Sequence, residues 1–232
     1  MISREIPTDV LKYELRKLQL KVSEESRDSY ITFVKKVWPD FIAGKHHKIY
    51  AEKLEQVSQG KLKRLIINMP PRHTKSEFAS HLFPAWMMGR NPKLKIIQTT
   101  HTAELSYNFG RKVRNLFDQQ EFKDVFPQVT LSQDSKAAGR FTTNKGGEYF
   151  AAGVGGAITG RGADLLIIDD PHSEQDALSQ TAMDNAYEWY TSGPRQRLQP
   201  GGAIVIVMTR WSVKDLTGKL MAAQMNENSD QW

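Results

Sequence analysis

The sequence predicts an α/β protein, a mainly parallel sheet with helices on both faces. Three observations point there. Short apolar runs alternate with longer segments of helical period along most of the chain. The run Leu165-Leu166-Ile167-Ile168 carries no polar residue, which suits a strand buried on both faces. A third run, Leu65-Ile66-Ile67-Asn68-Met69, leads straight into a turn that closes on Lys75-Ser76.

Each element follows from local pattern. Val10 to Val37 reads as helical, with Leu11, Leu15, Leu18 and Val22 and then Ile31, Phe33 and Val34 on helical spacing, until Trp38-Pro39-Asp40 breaks it. His46 to Gln59 is a second helix, ended by Gly60. The strand Arg64–Asn68 enters the turn, and the helix after it is expected to reach about Met88, stopped by Gly89 and Asn91-Pro92. Leu94–Thr99 reads as a strand and Ala103–Phe117 as an amphipathic helix. Short strands are expected near Val129–Leu131, Gly139–Thr142 and Glu148–Ala151. A glycine-rich loop, Gly153 to Gly162, precedes the apolar strand that ends in Asp169-Asp170. Ser179–Thr191 is helical, Pro200-Gly201-Gly202 is expected to turn into the strand Ala203–Val207, and Lys214–Gln224 is the last helix.

Composition narrows the class. A chain of 232 residues suits one α/β domain, with or without an N-terminal appendage. Lys and Arg number 32 against 26 acids, a net charge of +6, which favours a polyanionic partner or an ordinary basic surface. Zero cysteines exclude disulfides and thiolate metal sites and fit a reducing compartment. No apolar stretch approaches the ~18 residues of a membrane span, and Met1-Ile2-Ser3-Arg4-Glu5 does not begin a signal peptide. A soluble intracellular protein is expected. The polar ending before Trp232 reads like a chain cut between elements.

The turn after Asn68 carries the chemistry. Met69 to Ser76 keeps the spacing of the phosphate-binding pattern G-x-x-x-x-G-K-[ST], with Met69 and Thr74 where the glycines would stand. Backbone N–H groups of Pro71-Arg72-His73-Thr74-Lys75-Ser76-Glu77 and the helix that follows would cradle phosphate, although proline itself offers none. Lys75 would reach the terminal phosphates, and the Ser76 hydroxyl would sit on Mg²⁺. The alternative is a basic strand-to-helix turn with no ligand. About 90 residues on, Asp169 and Asp170 end a buried strand at its carboxyl end, where open α/β sheets bind ligands. Asp169 would hold Mg²⁺, directly or through water, and Asp170 would polarise the attacking water. The alternative is a solvated carboxylate pair before Pro171.

Taken together, Leu65–Glu77, Gln98-Thr99-Thr100-His101, Gly155–Arg161, Leu165–Pro171 and Ala203–Trp211, followed by Asp215, Leu216 and Gly218, resemble the large terminase subunit of tailed bacteriophages. That family packages DNA into a capsid with ATP. The resemblance implies an ASCE/RecA-like P-loop NTPase three-layer sandwich over 61–232, with residues 1–60 a helical segment contributing to the nucleotide site. The family's nuclease domain would be absent from this chain. It implies an ATP hydrolase using ATP and Mg²⁺. Its partners would be double-stranded DNA, the portal protein, the small terminase subunit and further copies in a homo-oligomeric ring, though the isolated chain could be a monomer. The place would be the host bacterial cytoplasm, transiently on the procapsid, with no membrane. A helicase or remodeller, or a nucleotide-binding scaffold without turnover, stand as alternatives.

Individual residues acquire roles by the same resemblance. Arg72 looks like the loop arginine that contacts phosphate, or else forms a surface ion pair. Arg161 looks like a finger reaching a neighbour's site, or else binds DNA or an acid of its own subunit. Thr209 matches the coupling motif, or else satisfies backbone at a strand end. His47 falls where the family contacts adenine, or else is part of a solvated helix start. Phe41 and Trp38 are expected in the core, the alternative being a stack on the base, and Trp211 in the core rather than on DNA. His73 lacks a second metal ligand at helical spacing. Lys61-Lys63-Arg64, Arg111-Lys112-Arg114 and Arg195-Arg197 are candidates for phosphate-backbone contact or solvated faces.

Overall fold

A computed structural model describes residues 8–226 and 229–232, with the backbone alone for 134–136. Helices α1 (Thr8–Asp28), α2 (Tyr30–Val37) and α3 (Lys45–Ser58) precede the sheet. Then come β1 (Arg64–Asn68), a π-helical segment Glu77–Leu82 continuing into α4 (Phe83–Arg90), β2 (Lys95–Thr100), α5 (Ala103–Leu116) and α6 (Gln120–Val125). The chain continues through β3 (Leu131–Ala137), β4 (Arg140–Thr143), β5 (Glu148–Gly153), β6 (Ala163–Asp169), α7 (Gln180–Ser192), β7 (Leu198–Met208) and α8 (Leu216–Ala223).

The sheet has seven strands in the order β1-β7-β6-β2-β5-β4-β3. β1, β7, β6, β2 and β5 pair in parallel, and β5-β4-β3 close the far edge antiparallel. Strand β7, the last in sequence, therefore lies between the loop strand β1 and the acid strand β6.

The sheet is the middle of three layers because its strands bury both faces. Leu65, Leu165, Ile167, Val205 and Val207 join one apolar cluster with α2, α3, α4 and α5. Leu166, Ile168, Ile204 and Ile206 face a second cluster with Tyr190 of α7 and Leu216 and Leu220 of α8. Alternation of side chains in a strand sends neighbours to opposite faces, so an all-apolar run is what two covered faces require. Tyr30, Phe33, Tyr50 and Leu54 share the first cluster, so α2 and α3 are part of the core.

Several boundaries differ from the sequence expectation. The first helix is two, because the Ser29 side chain accepts the Thr32 N–H and starts α2 afresh. Gly89 does not stop its helix, which runs to Arg90. A Cβ at Gly89 would stand 2.3 Å from the Phe126 ring, so this glycine allows close packing. Strand β3 begins at Leu131, where the expected one ended. Pro200-Gly201-Gly202 lies inside β7, at the irregularity where pairing with β6 shifts register. Among the described residues no helix is long and apolar enough to cross a membrane.

Candidate active site

The parallel strands β1, β6 and β7 deliver their carboxyl ends side by side. Asn68 pairs with Met208, and Asp169 with Val207. The segments leaving those ends, 69–76, 170–172 and 209–215, meet at one point.

Lys75 is the buried centre of that point. Its Nζ lies 2.8 Å from Asp170 Oδ2 and donates to Thr209 Oγ1 at 3.1 Å. The Thr209 backbone N–H donates to the other oxygen of Asp170 at 2.7 Å. Beside this triangle, Ser76 Oγ donates to Asp169 Oδ1 at 2.9 Å and Ser80 Oγ to Asp169 Oδ2 at 2.7 Å. Burial pushes the Asp169 carboxyl up to about 7, and the Asp170 charge adds to it against the opposing hydroxyl bonds and Lys75. Ser80 escaped the sequence reading, yet it lies one turn after Ser76 on the same helical face.

The loop that carries Lys75 solves the glycine problem by support. Thr74, where a glycine would stand, has φ +62°, and Arg72 has φ +64°. Gly44 N–H donates to His47 Nδ1 at 2.9 Å, which leaves the proton on Nε2. Nε2 then donates to Thr74 Oγ1 at 2.5 Å, and the Thr74 hydroxyl donates to His73 O at 2.6 Å. Burial, with His46 and His73 nearby, lowers the His47 pKa and favours this neutral ring. Tyr50 OH donates to Lys75 O at 3.0 Å from the same helix. Asp170 also has positive φ, +40°. These are the only non-glycine positive-φ residues among those described, and all three lie at this cluster.

The remaining expected residues divide. Pro71 accepts the His73 Nδ1 contact at 2.9 Å, and Arg72 is exposed with no partner among the described residues. Glu77 turns away from the loop, hydrogen-bonded to His81 at 2.8 Å and ion-paired with Lys112 of α5. Burial raises its carboxyl, but hydrogen bonds from His81 and Lys112 outweigh this and hold it at about 2. His47 is buried with both ring nitrogens engaged, so it is no solvated helix start, and an adenine contact would require exchanging one of those bonds. Phe41 packs on His47 and Phe78, as a core residue does. Trp211 corrects its expectation, being 37% exposed.

Arg161 is not brought to this cluster. It forms an ion pair with Glu148 and stacks 3.8 Å above the Phe150 ring. Glu148 opens β5, and a six-residue strand spans roughly 20 Å, so Arg161 stands at the amino ends of the strands. The basic clusters are also partly spent internally. Asp230 lies 2.9 Å from Arg64 Nε and accepts from Arg195 Nε at 2.7 Å, and Lys112 faces Glu77.

A second layer fixes the segment after β7. Asp215 accepts N–H bonds from Trp211, Ser212 and Gly218 and meets Arg210 Nε at 3.1 Å. Leu216 N–H donates to His172 Nε2 at 3.0 Å, tying this segment to the chain just after Asp170. No lone motif announced His172, since only the fold brings it to α8.

The donor set suits a hard cation. Among the described residues no group of three or more His, Cys, Asp or Glu gathers, so any metal here would rest on Ser76 Oγ, Asp169 and ligand oxygens.

No family model matches the chain, and no curated protein matches it in sequence. Its fold is similar to the crystal structure of the HK97 bacteriophage large terminase, with a TM-score of 0.53 and 14% identity. The match covers 87% of this chain and 42% of that one, so the chain spans less than half the length of that protein. At this identity the likeness is one of fold.

Proposed function

We propose that this chain is the ATP-hydrolysing motor domain of a terminase that drives double-stranded DNA into a viral procapsid. The observation that carries the reading is the convergence of Lys75, Ser76, Asp169, Asp170 and Thr209 from three separate strand ends, on a fold similar to that of a phage large terminase. A chance basic turn would not find the buried Asp169, the half-buried Asp170 and a strand-end hydroxyl within hydrogen-bond reach.

The residues divide the work. ATP phosphates would lie along loop 71–76, at the amino end of the helix that starts there. Lys75 would exchange Asp170 for phosphate oxygens, and the exposed Arg72 would close on the same phosphates as a planar fork. Asp170, released from Lys75 and still oriented by the Thr209 N–H, would position water for in-line attack and draw on its proton. Mg²⁺ bound with the nucleotide would neutralise phosphate charge, with Ser76 and Asp169 as its protein ligands. Asp169, with its pKa raised to about 7, would give up its proton to take that role.

Thr209 would couple chemistry to movement. Its hydroxyl faces Lys75 and its N–H faces Asp170, so a change of partner at either reaches the segment capped by Asp215. Arg161, remote from its own cluster, would serve only a neighbouring subunit, after leaving Glu148. The wider assembly would be a ring at the portal with the small terminase subunit, acting in the host cytoplasm.

The test is Mg²⁺-dependent phosphate release from ATP at rising protein concentration, for wild type, Asp170→Asn and Arg161→Ala. The reading expects turnover that rises faster than linearly, is abolished by Asp170→Asn, and is partly restored by mixing the two variants. Nucleotide binding with no release at any concentration would reject hydrolysis. Linear turnover without rescue would keep hydrolysis and remove Arg161 as a neighbour's finger.

A further inference from the structure

Helix α1 does not behave like the rest of the molecule. Over its 21 residues the buried side chains are Ser23 and Ser26, both near its C-terminal end. Residues 8–22 are exposed throughout, including Leu11 at 52%, Leu15 at 56%, Leu18 at 59% and Val22 at 40%. Among the described residues nothing packs over residues 8–22, and a helix of about 15 residues without a packed face is marginal in water even with an exposed pair such as Lys21–Glu25.

The exposed residues are ordered. Leu11, Leu15, Leu18 and Val22 follow a 4-3-4 spacing, the d-a-d-a seam of a coiled coil. At 100° per residue they fall within about 60° of arc. Glu14 and Lys21 flank one side of the seam and Lys12 and Gln19 the other.

We infer that this seam pairs with the same helix of a second copy, antiparallel. In that register Leu11 meets Val22 of the other copy and Leu15 meets its Leu18, so the seam is self-complementary, as a two-fold contact requires. Glu14 then faces Lys21 across the interface, twice. A parallel pair would place Glu14 by Gln19 and Lys21 by Ser26 and gain no ion pair, so charge selects the antiparallel form. The overlapping helices span only about 18 Å each. Their contact falls short of the roughly 1,200 Å² of a standard interface, so the dimer is weak and concentration-dependent. The seam contains no residue of the cluster at the carboxyl ends of β1, β6 and β7, and the inference does not rest on the proposed activity.

Sedimentation of the full 232-residue chain over a wide concentration range tests this, with circular dichroism of each variant as the folding control. Wild type is expected to dimerise reversibly, and Leu15→Lys, an exposed position, to abolish the dimer without loss of fold. Glu14→Lys alone and Lys21→Glu alone are each expected to weaken it about tenfold, by setting like charges opposite one another. An equimolar mixture of those two variants is expected to recover association, because both cross pairs become Lys–Glu. Wild type that stays monomeric throughout overturns the inference. So does a dimer indifferent to Leu15→Lys, which would use another surface, or single charge variants that fail to recover on mixing, which would exclude the antiparallel register.

Discussion

Two loops at the sheet adopt left-handed backbone by opposite means. In loop 69–76 the positive-φ residues are Arg72 and Thr74, which carry Cβ atoms and resist that conformation by roughly 1–2 kcal/mol each. In loop 153–162 they are Gly155 and Gly160, at φ +76° and +78°, with open space where a Cβ would go. The first is held from outside, by His47 and Tyr50 of α3. The second needs no support. The difference shows loop 69–76 held by packing from α3, so that its conformation is a tertiary property.

The largest test of that contrast is chemical. On the proposed function, Lys75→Ala and Asp170→Asn should each lower phosphate release from ATP by about 100-fold or more, because each would remove one side of the proposed charge arrangement. Neither should affect folding as much, since each leaves its partner close to solvent or to Thr209. Equal loss of turnover after Gly155→Ala would break the distinction between the two loops.

A pH series comes next. The Asp169 carboxyl titrates near 7 in the fold, against an ordinary value of 3.8. The folded state therefore holds an extra proton between those values, and the stability it contributes is present at low pH and lost as pH rises through about 7. His47 and His172 slope the other way, since burial lowers both and their contribution is lost as pH falls below about 6.5. Urea unfolding of wild type minus Asp169→Asn, from pH 5 to 8, should isolate a fall of about 1–3 kcal/mol with rising pH. A flat difference would mean that Asp169 is already ionised in the fold.

The support of the loop can be measured directly. His47→Ala should cost about 1–3 kcal/mol by chemical denaturation. Thr74→Gly alone should change stability by less than about 1 kcal/mol, because relief of strain offsets the lost hydrogen bond. In the double variant the cost of His47→Ala should shrink, and additivity of the two would separate His47 from the loop.

The smallest effect belongs to Arg161. Arg161→Ala removes a partly exposed ion pair and a contact with the Phe150 ring, worth about 1 kcal/mol together. Its affinity for a fluorescent ATP analogue at low protein concentration should equal that of wild type. A weakened single subunit would place Arg161 nearer its own site than the fold does.

Much of this was legible in the residues. Strand β1 has the expected bounds, because apolar residues before Lys-Ser leave few other readings. Asp169 ends β6 where the apolar run stops, and Asp170 is the first residue past it. What the sequence hid was dependence between distant segments. Ser80 matters only once a helix turn sets it under Asp169. His47 read as an adenine contact or part of a solvated helix start, and nothing local said that it would bond Thr74. Pro200-Gly201-Gly202 looked like a turn, since no local signal says that a bulged strand end will pair with β6.

Sequence by itself determined the period of each segment, the run of two-face strands, and the residue types able to meet phosphate and metal. Those are properties of neighbours within a few positions, where pattern and propensity act. Only the tertiary structure decided that β7 lies between β1 and β6, that Thr209 therefore bridges Lys75 and Asp170, and that Arg161 stands at the opposite ends of the strands. Strand order depends on which apolar faces bury best together, and that competition is settled across the whole chain.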